Sequence, residues 1–197
     1  MNDEETIRVY DTQAEKYAAM TDDFTAADPR LDAFIAACPA GARVLDLGSG
    51  PGSAAAKMAG AGLVVDATDA SSEMVAMAAR HPGVTAWQAT FDQIEGDQIY
   101  GGIWANFSLL HAPRADMPRY LATLHAALIP GGAFHIGLKT GTGEKRDSIG
   151  RLYTYYTDAE LTGLLNAAGF TVTQRNTGRE KGLDGQPADW LTLLTHG

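Results

Sequence analysis

The chain has 197 residues, a formal net charge of −9 and a pI near 4.9. That length suits one domain with a sizeable core, and an acidic balance without any run of Lys or Arg argues against nucleic acid as a substrate. Cys38 is the single cysteine, so an intrachain disulfide and a cysteine-based metal site are excluded, and no apolar stretch approaches the roughly 18 residues of a membrane span.

In chain order, the N-terminal M-N-D-E-E is acidic and lacks the basic-then-apolar order of a signal peptide, so a cytoplasmic protein is expected. Residues 1–20 read as a helix with Ile7, Tyr10, Ala14 and Tyr17 on one face. Asp28-Pro29 is an N-cap followed by a first-turn proline. The helix from Arg30 to Ala37 then buries Leu31, Phe34 and Ile35, and Cys38 behind it reads as a buried thiol.

Arg43 to Gly52 reads R-V-L-D-L-G-S-G-P-G. Val44, Leu45 and Leu47 form the apolar run of a buried strand. Gly48, Gly50 and Gly52 alternate with Ser49 and Pro51, as where a strand turns into a helix and brings backbone N–H groups against a ligand. Asp46 sits inside the strand, where burial is costly unless a cation or donor meets it.

Ser53–Ala59 is a helix of small residues, and Leu63–Thr68 is a second strand ending at Asp69, 19 residues beyond Gly50. An acidic residue at that position is placed to accept from both hydroxyls of a ribose. Ser71 caps a helix with Met74, Val75 and Ala78 on its core face. Val84–Ala89 is the third strand, followed by Thr90-Phe91-Asp92, and Gly101–Asn106 is the fourth, followed by Phe107–His111. In a doubly wound sheet ligands bind beyond the C-terminal strand ends, which puts Asn106–His111 at the site.

Pro118–Ala127 is a helix capped by Asp116. Ile129–Gly132 is a turn, Ala133–Leu138 the fifth strand, and residues 139–146 a mobile loop. Thr157 and Glu160 form a capping box for a helix carrying Leu161, Leu164, Leu165 and Ala168. Phe170–Arg175 is a strand, Asn176–Pro187 a polar loop, and Asp189–Thr195 the last strand. His81, His125, His135 and His196 form no metal pattern, so none is assigned.

The run D-L-G-S-G-P-G resembles motif I of the class I S-adenosylmethionine (SAM) dependent methyltransferases, D/E-x-G-x-G-x-G. Asp69-Ala70-Ser71-Ser72-Glu73-Met74, the Leu128–Gly132 run L-x-P-G-G and the Tyr10–Tyr17 segment resemble further parts of small-molecule members. The run W-A-N-F-S-L-L-H-A-P resembles a tellurite-resistance-like subgroup. The resemblance implies an α/β fold: a doubly wound, seven-stranded Rossmann-like sheet, mostly parallel, with an antiparallel C-terminal hairpin and helices on both faces. It implies one domain over 1–197, with 1–38 as a helical lid.

It also implies SAM as cofactor, with S-adenosylhomocysteine as product. The residues at it would be Asp46, Gly48, Ser49, Gly50, Gly52, Asp69, Ala70, Met74, Asn106 and Tyr17, with adenine met by Thr90, the Phe91 backbone or Asp92. Acceptor-side candidates are Tyr10, His111, Lys139 and Arg151. His111 is either a base, since imidazole titrates near neutrality, or a structural histidine. Lys139, Arg146 and Arg151 are either anion-binding or solvated charges. Tyr153, Tyr155, Tyr156 and Trp190 either line an aromatic pocket or pack.

The expected activity is methyl transfer to a small molecule by a monomer or homodimer. Two rivals stand beside it: a SAM-binding protein without transferase activity, and a nicotinamide-dependent oxidoreductase. The latter's G-x-G-x-x-G would need its third glycine at Ser53, whereas here it falls at Gly52.

Overall fold

Strand β1 (Arg43–Leu47) carries four consecutive buried residues, Val44 to Leu47, because it is covered by helices on both faces. The computed structural model around it describes residues 3–197, without the side chains of 22–24 and 26. The other strands of the main sheet are β2 (Val64–Asp69), β3 (Val84–Gln88), β4 (Tyr100–Asn106), β5 (Leu128–Lys139), β8 (Thr171–Lys181) and β9 (Pro187–His196). A separate pair is β6 (Glu144–Arg146) and β7 (Leu152–Thr154). The helices are α1 (Glu4–Thr12), α2 (Ala14–Ala26), α3 (Pro29–Ala37), α4 (Ser53–Gly60), α5 (Ser72–Ala78), α6 (Met117–Ala127) and α7 (Asp158–Ala167).

The seven strands lie in the order β3-β2-β1-β4-β5-β9-β8. β1 to β5 are parallel, and β9 is antiparallel to both β5 and β8. The chain therefore turns back on itself between β1 and β4, and the crevice at their C-terminal ends is where such a sheet binds ligands. The antiparallel β9 is the strand arrangement implied by the methyltransferase resemblance.

Alternating side chains divide the core in two. Leu45, Leu47, Ile103, Phe134 and Ile136 point to one face, where Leu121, Leu124, Leu161 and Leu165 of α6 and α7 cover them. Val44, Val65, Ala67 and Trp104 belong to the other, against Leu31 and Phe34 of α3 and Ala55 and Met58 of α4. Helix α3 is thus part of the core. Cys38 is a buried thiol, and burial pushes it up to about 12.

Four sequence expectations are revised. The helix expected over 1–20, whose first two residues lie outside the described residues, is two helices that break at Gln13. Thr12 returns its hydroxyl to the carbonyls of Arg8 and Val9, a bond that bends helices. The polar loop expected over Asn176–Pro187 is mostly hairpin, with β8 running to Lys181 and β9 starting at Pro187. β8 is an edge strand whose residues are largely exposed, so no apolar alternation marks it. The loop expected over 139–146 ends in β6, paired with β7 through Lys145 and Tyr153. The turn at Ile129–Gly132 does not precede β5 but bulges within it, since β5 starts at Leu128; Gly131 turns with φ +76°, and Gly131 and Gly132 pair with Gly197.

Gly102 on β4 lets α3 approach the sheet. A Cβ there would stand 2.4 Å from Cys38 Sγ and 2.8 Å from Phe34 Cζ. Gly102→Ala is therefore expected to destabilise the fold by about 1–3 kcal/mol in urea denaturation, and adding Cys38→Ala should recover part of that loss.

Candidate active site

The turn after β1 is pinned to the end of β2. Gly48 and Ser49 both donate their backbone N–H to the Thr68 carbonyl, at 2.7 and 2.9 Å. Gly48 has φ +70°, and a Cβ on it would lie 2.3 Å from Cβ of Ser108. Only glycine lets the two loops at the β1/β4 crevice come this close. The Gly50 N–H then donates to Asp69 Oδ2 at 3.0 Å, and the Ser71 N–H to Asp69 Oδ1 at 2.9 Å. Gly52 is the N-cap of α4, backed by Ala78.

Two carboxylates thereby meet at one crevice, Asp46 buried and Asp69 half-buried. Asp46 is 2 % exposed, and its Oδ2 has no hydrogen-bond partner among the described residues. Burial first, and the charge of Asp69 second, push Asp46 up to about 8. Burial also raises Asp69, against the backbone N–H bonds of Ser71, Gly50 and Ala70. An unmet buried acceptor beside a second carboxylate is a demand for a cation. Asp66, the other acidic residue of β2, is taken by Arg43 Nε at 2.7 Å and Tyr100 OH at 3.2 Å.

The crevice has an inner part of about 500 Å³ and an outer vestibule of about 1580 Å³ that includes open solvent. Gly48, Gly50, Asn106, Phe107 and Tyr17 line both. Asp69, Ala70, Met74, Ala89 and Phe91 line the inner part, while Asp46 and Ser49 line the vestibule. Of the three candidates after β3, Phe91 alone reaches the inner wall. Thr90 caps a short 3-10 turn with Gln93. Asp92 accepts from Arg119 Nη2 at 2.6 Å and from Tyr120 OH at 3.0 Å.

His135, unassigned from sequence, orients Asn106. It stacks on Trp104 at 3.7 Å, and its Nε2 lies 3.1 Å from Asn106 Oδ1. Burial keeps this imidazole neutral, so the proton on Nε2 meets the amide oxygen and the Asn106 NH2 remains the donor at the crevice. Phe107, within the Asn106–His111 run placed at the site by sequence, has φ +56°, a conformation rare outside glycine and concentrated at functional sites that its sequence did not signal.

Helices α1 and α2 cover this crevice. Asp11 Oδ1 accepts from Ser71 Oγ at 2.6 Å, Leu152 N donates to Thr6 Oγ1 at 2.9 Å, and Asp3 pairs with Arg146 at 2.6 Å. Tyr10 is central. Its ring meets Tyr17 edge-on at 5.4 Å, its hydroxyl lies 2.9 Å from His111 Nε2, and Arg151 Nη1 donates to the same hydroxyl at 3.0 Å.

His111 Nδ1 lies 2.6 Å from the Leu152 carbonyl, which can only accept, so Nδ1 carries the proton and Nε2 accepts from Tyr10. His111 does not titrate near neutrality: burial, opposed by the Leu152 bond and aided by the charges of Arg151 and Lys139, pushes it down to about 3.

A second cleft, about 640 Å³ with the solvent at its mouth, lies beyond Tyr10, Tyr17 and Phe107, which it shares with the first. Lys139, Arg151, Tyr153 and Trp190 line it; Tyr155 and Tyr156 do not. Tyr156 is buried under Arg114, 4.4 Å from its ring. Arg151 is 2 % exposed and paired with Asp147 at 2.8 Å. Arg146, held by Asp3, stays outside the cleft.

A family model described as a methyltransferase domain matches residues 20–175. No curated protein matches. Among solved structures, the chain is 26% identical to the Burkholderia thailandensis 1,6-didemethyltoxoflavin-N1-methyltransferase, determined with its substrate and S-adenosylhomocysteine. The TM-score is 0.76, over 96% of this chain and 87% of that one. It is 22% identical to DhpI in complex with S-adenosylhomocysteine, with a TM-score of 0.71 over 98% and 96% of the two chains. It is 16% identical to a SAM-dependent methyltransferase of Methanosarcina mazei, with a TM-score of 0.73 over 85% and 96%. Since the family model spans well over half of the sequence and the sheet has the strand order described above, the chain belongs to the class I methyltransferase-domain family.

Proposed function

We propose that this protein transfers a methyl group from S-adenosylmethionine to a small molecule held in the cleft beyond Tyr10 and Phe107. The observation that carries the reading is the pair of carboxylates, buried Asp46 and half-buried Asp69, at a glycine turn on the crevice between β1 and β4. The cofactor is S-adenosylmethionine, which supplies, when bound, an electrophilic methyl on a sulfonium. It fits the residues present: the unmet Asp46 Oδ2 suits its ammonium, Asp69 its ribose hydroxyls, and Ala70, Met74 and Phe91 its adenine.

Gly48, Ser49 and Gly50 bring backbone close to that ligand, Gly52 lies behind them against Ala78, and the Asn106 NH2 is a further donor. Thr90 and Asp92 are committed elsewhere, which favours Phe91 as the adenine contact. Tyr10, Tyr17 and Phe107 are walls common to crevice and cleft, so the acceptor approaches the methyl past them and α1–α2 exclude water there. This reading limits the lid to α1 and α2, because α3 packs in the core.

His111, kept neutral by burial with its proton on Nδ1, positions the Tyr10 hydroxyl, which separates its Nε2 from the cleft. Lys139 and Arg151 stand on the acceptor side. The acidic surface fits a small acceptor better than nucleic acid. Among the described residues no helix is long and apolar enough to cross a membrane. The Trp104–Pro113 run supports a place near the tellurite-resistance-like subgroup.

Calorimetry should show binding of S-adenosylhomocysteine, and Asp69→Ala should weaken it by about 2–3 kcal/mol, on the order of 30- to 150-fold in Kd. No binding at millimolar ligand, or an unchanged Asp69→Ala variant, would remove the basis of the reading.

Asp46 adds a pH signature. With its carboxyl raised to about 8, it is mostly protonated at pH 6 in the free protein and must ionise to meet an ammonium. Affinity should therefore rise with pH between 6 and 8, by up to about tenfold per unit. Titrations of Asp46→Asn should show a flatter dependence; an equal slope in both proteins would assign the effect to another group.

A further inference from the structure

Lys139 closes β5 with its ammonium in the second cleft, 3.9 Å from the centre of the Tyr153 ring. Among the described residues no carboxylate lies within ion-pair distance of it. Of the other cations lining the cleft, Lys181 is exposed and Arg151 is already compensated. Arg151 is tied to Asp147 through Nε at 2.9 Å and Nη2 at 2.8 Å, and it spends Nη1 on Tyr10. Lys139 is therefore the half-buried cation of the cleft without a direct ion pair. Burial and the neighbouring Arg151 lower its proton affinity, and Asp184 and Asp147, acting from beyond ion-pair distance, offset them only in part.

Five rings line the cleft, those of Tyr10, Tyr17, Phe107, Tyr153 and Trp190, and Arg30 covers one face of Trp190 at 4.7 Å. Phe107 meets Trp190 edge-on at 6.2 Å, and Tyr153 lies beneath Lys139 and Arg151. Rings presented from the end of β4, from β7 and from β9 suit a planar body better than a chain or a sugar. We propose that the acceptor is a planar aromatic monoanion of the carboxylate type, seated among Phe107, Tyr153 and Trp190 with its charge on Lys139 Nζ. The proposal deepens the methyltransferase reading and rests on it for the word acceptor; the anion site itself does not depend on the cofactor.

One consequence follows for His111. Lys139 is one of two cations whose charge helps keep that imidazole neutral. An anion paired with Lys139 cancels that contribution and raises the proton affinity of the Tyr10–His111 pair when the cleft is filled.

The test uses benzoate and its neutral isostere benzamide as probes, titrated by ligand-observed NMR into the full chain with and without saturating S-adenosylhomocysteine. Benzoate should bind at least about tenfold more tightly than benzamide, the size of one charge-assisted hydrogen bond. Lys139→Gln should remove that preference and Lys139→Arg should restore most of it. S-adenosylhomocysteine affinity should stay within about twofold in both variants, which reports that they are folded. Equal binding of the two probes, no binding of benzoate, or a preference that survives Lys139→Gln overturns the proposal. Failure of S-adenosylhomocysteine to bind wild-type protein strikes the methyltransferase reading instead, and the benzoate comparison without it then decides the anion site separately.

Discussion

Much of this structure follows from placing two carboxylates, buried Asp46 and half-buried Asp69, together at the crevice where the sheet reverses its order. The glycine turn achieves this by giving its N–H groups to β2: Gly48 and Ser49 to Thr68, Gly50 to Asp69. Those bonds satisfy Asp69 in part and leave Asp46 Oδ2 unmet. Burying an unpaired carboxylate costs several kcal/mol unless it takes up a proton or meets a cation. The fold bears that cost because covering β1 on both faces, which makes it a core strand, also buries Asp46. Binding is then driven by relief of a cost incurred on folding.

What was legible in the sequence was whatever had a local signature. Glycines alternating after a strand, Asp69 at the end of the next, and Ser71 capping α5 all announce themselves through spacing. The strand order follows from the resemblance those residues support. The second half of edge β8, residues 176–181, stayed hidden because its largely exposed residues lack the apolar alternation by which strands are read. Gly178 reads as a loop residue for the same reason, although the indole of Trp190 lies against it and needs its missing side chain. Contacts between distant segments were equally silent. Nothing near His135 in the chain says that it orients Asn106, and nothing near Asp92 says that Arg119 and Tyr120 will claim it. His111 was legible as a residue of the site, but its titration was not, because that depends on burial beneath Tyr10 and beside Arg151.

The N-terminal helices are fastened unlike the rest of the protein. The core is held by apolar burial, whereas α1 is joined to its neighbours largely by polar bonds: Asp11 to Ser71, Thr6 to Leu152, Asp3 to Arg146, and Tyr10 to Arg151 and His111. Each such bond contributes only about 0.5–1.5 kcal/mol net, since water can replace it, and the exposed ion pair less. A cover built this way opens at modest cost while its closed position stays defined, because each bond fixes a direction. That suits a crevice whose ligands must enter and leave on every cycle.

Tyr10 ties this cover to the chemistry. Its hydroxyl can donate once, and with α1 closed it donates to His111 while accepting from Arg151. The Leu152 carbonyl has already fixed which imidazole nitrogen holds the proton, so closure leaves His111 a single free lone pair and gives it to Tyr10. When α1 lifts, Tyr10 departs, water reaches His111, and the desolvation that dominates its low proton affinity is relaxed. The position of one helix therefore sets both the access to the crevice and the basicity within it. Arg151 is what makes the two inseparable: it is clamped to Asp147 on its own loop and bonded to Tyr10 on the cover, so the closed helix and the ordered loop between β6 and β7 require each other.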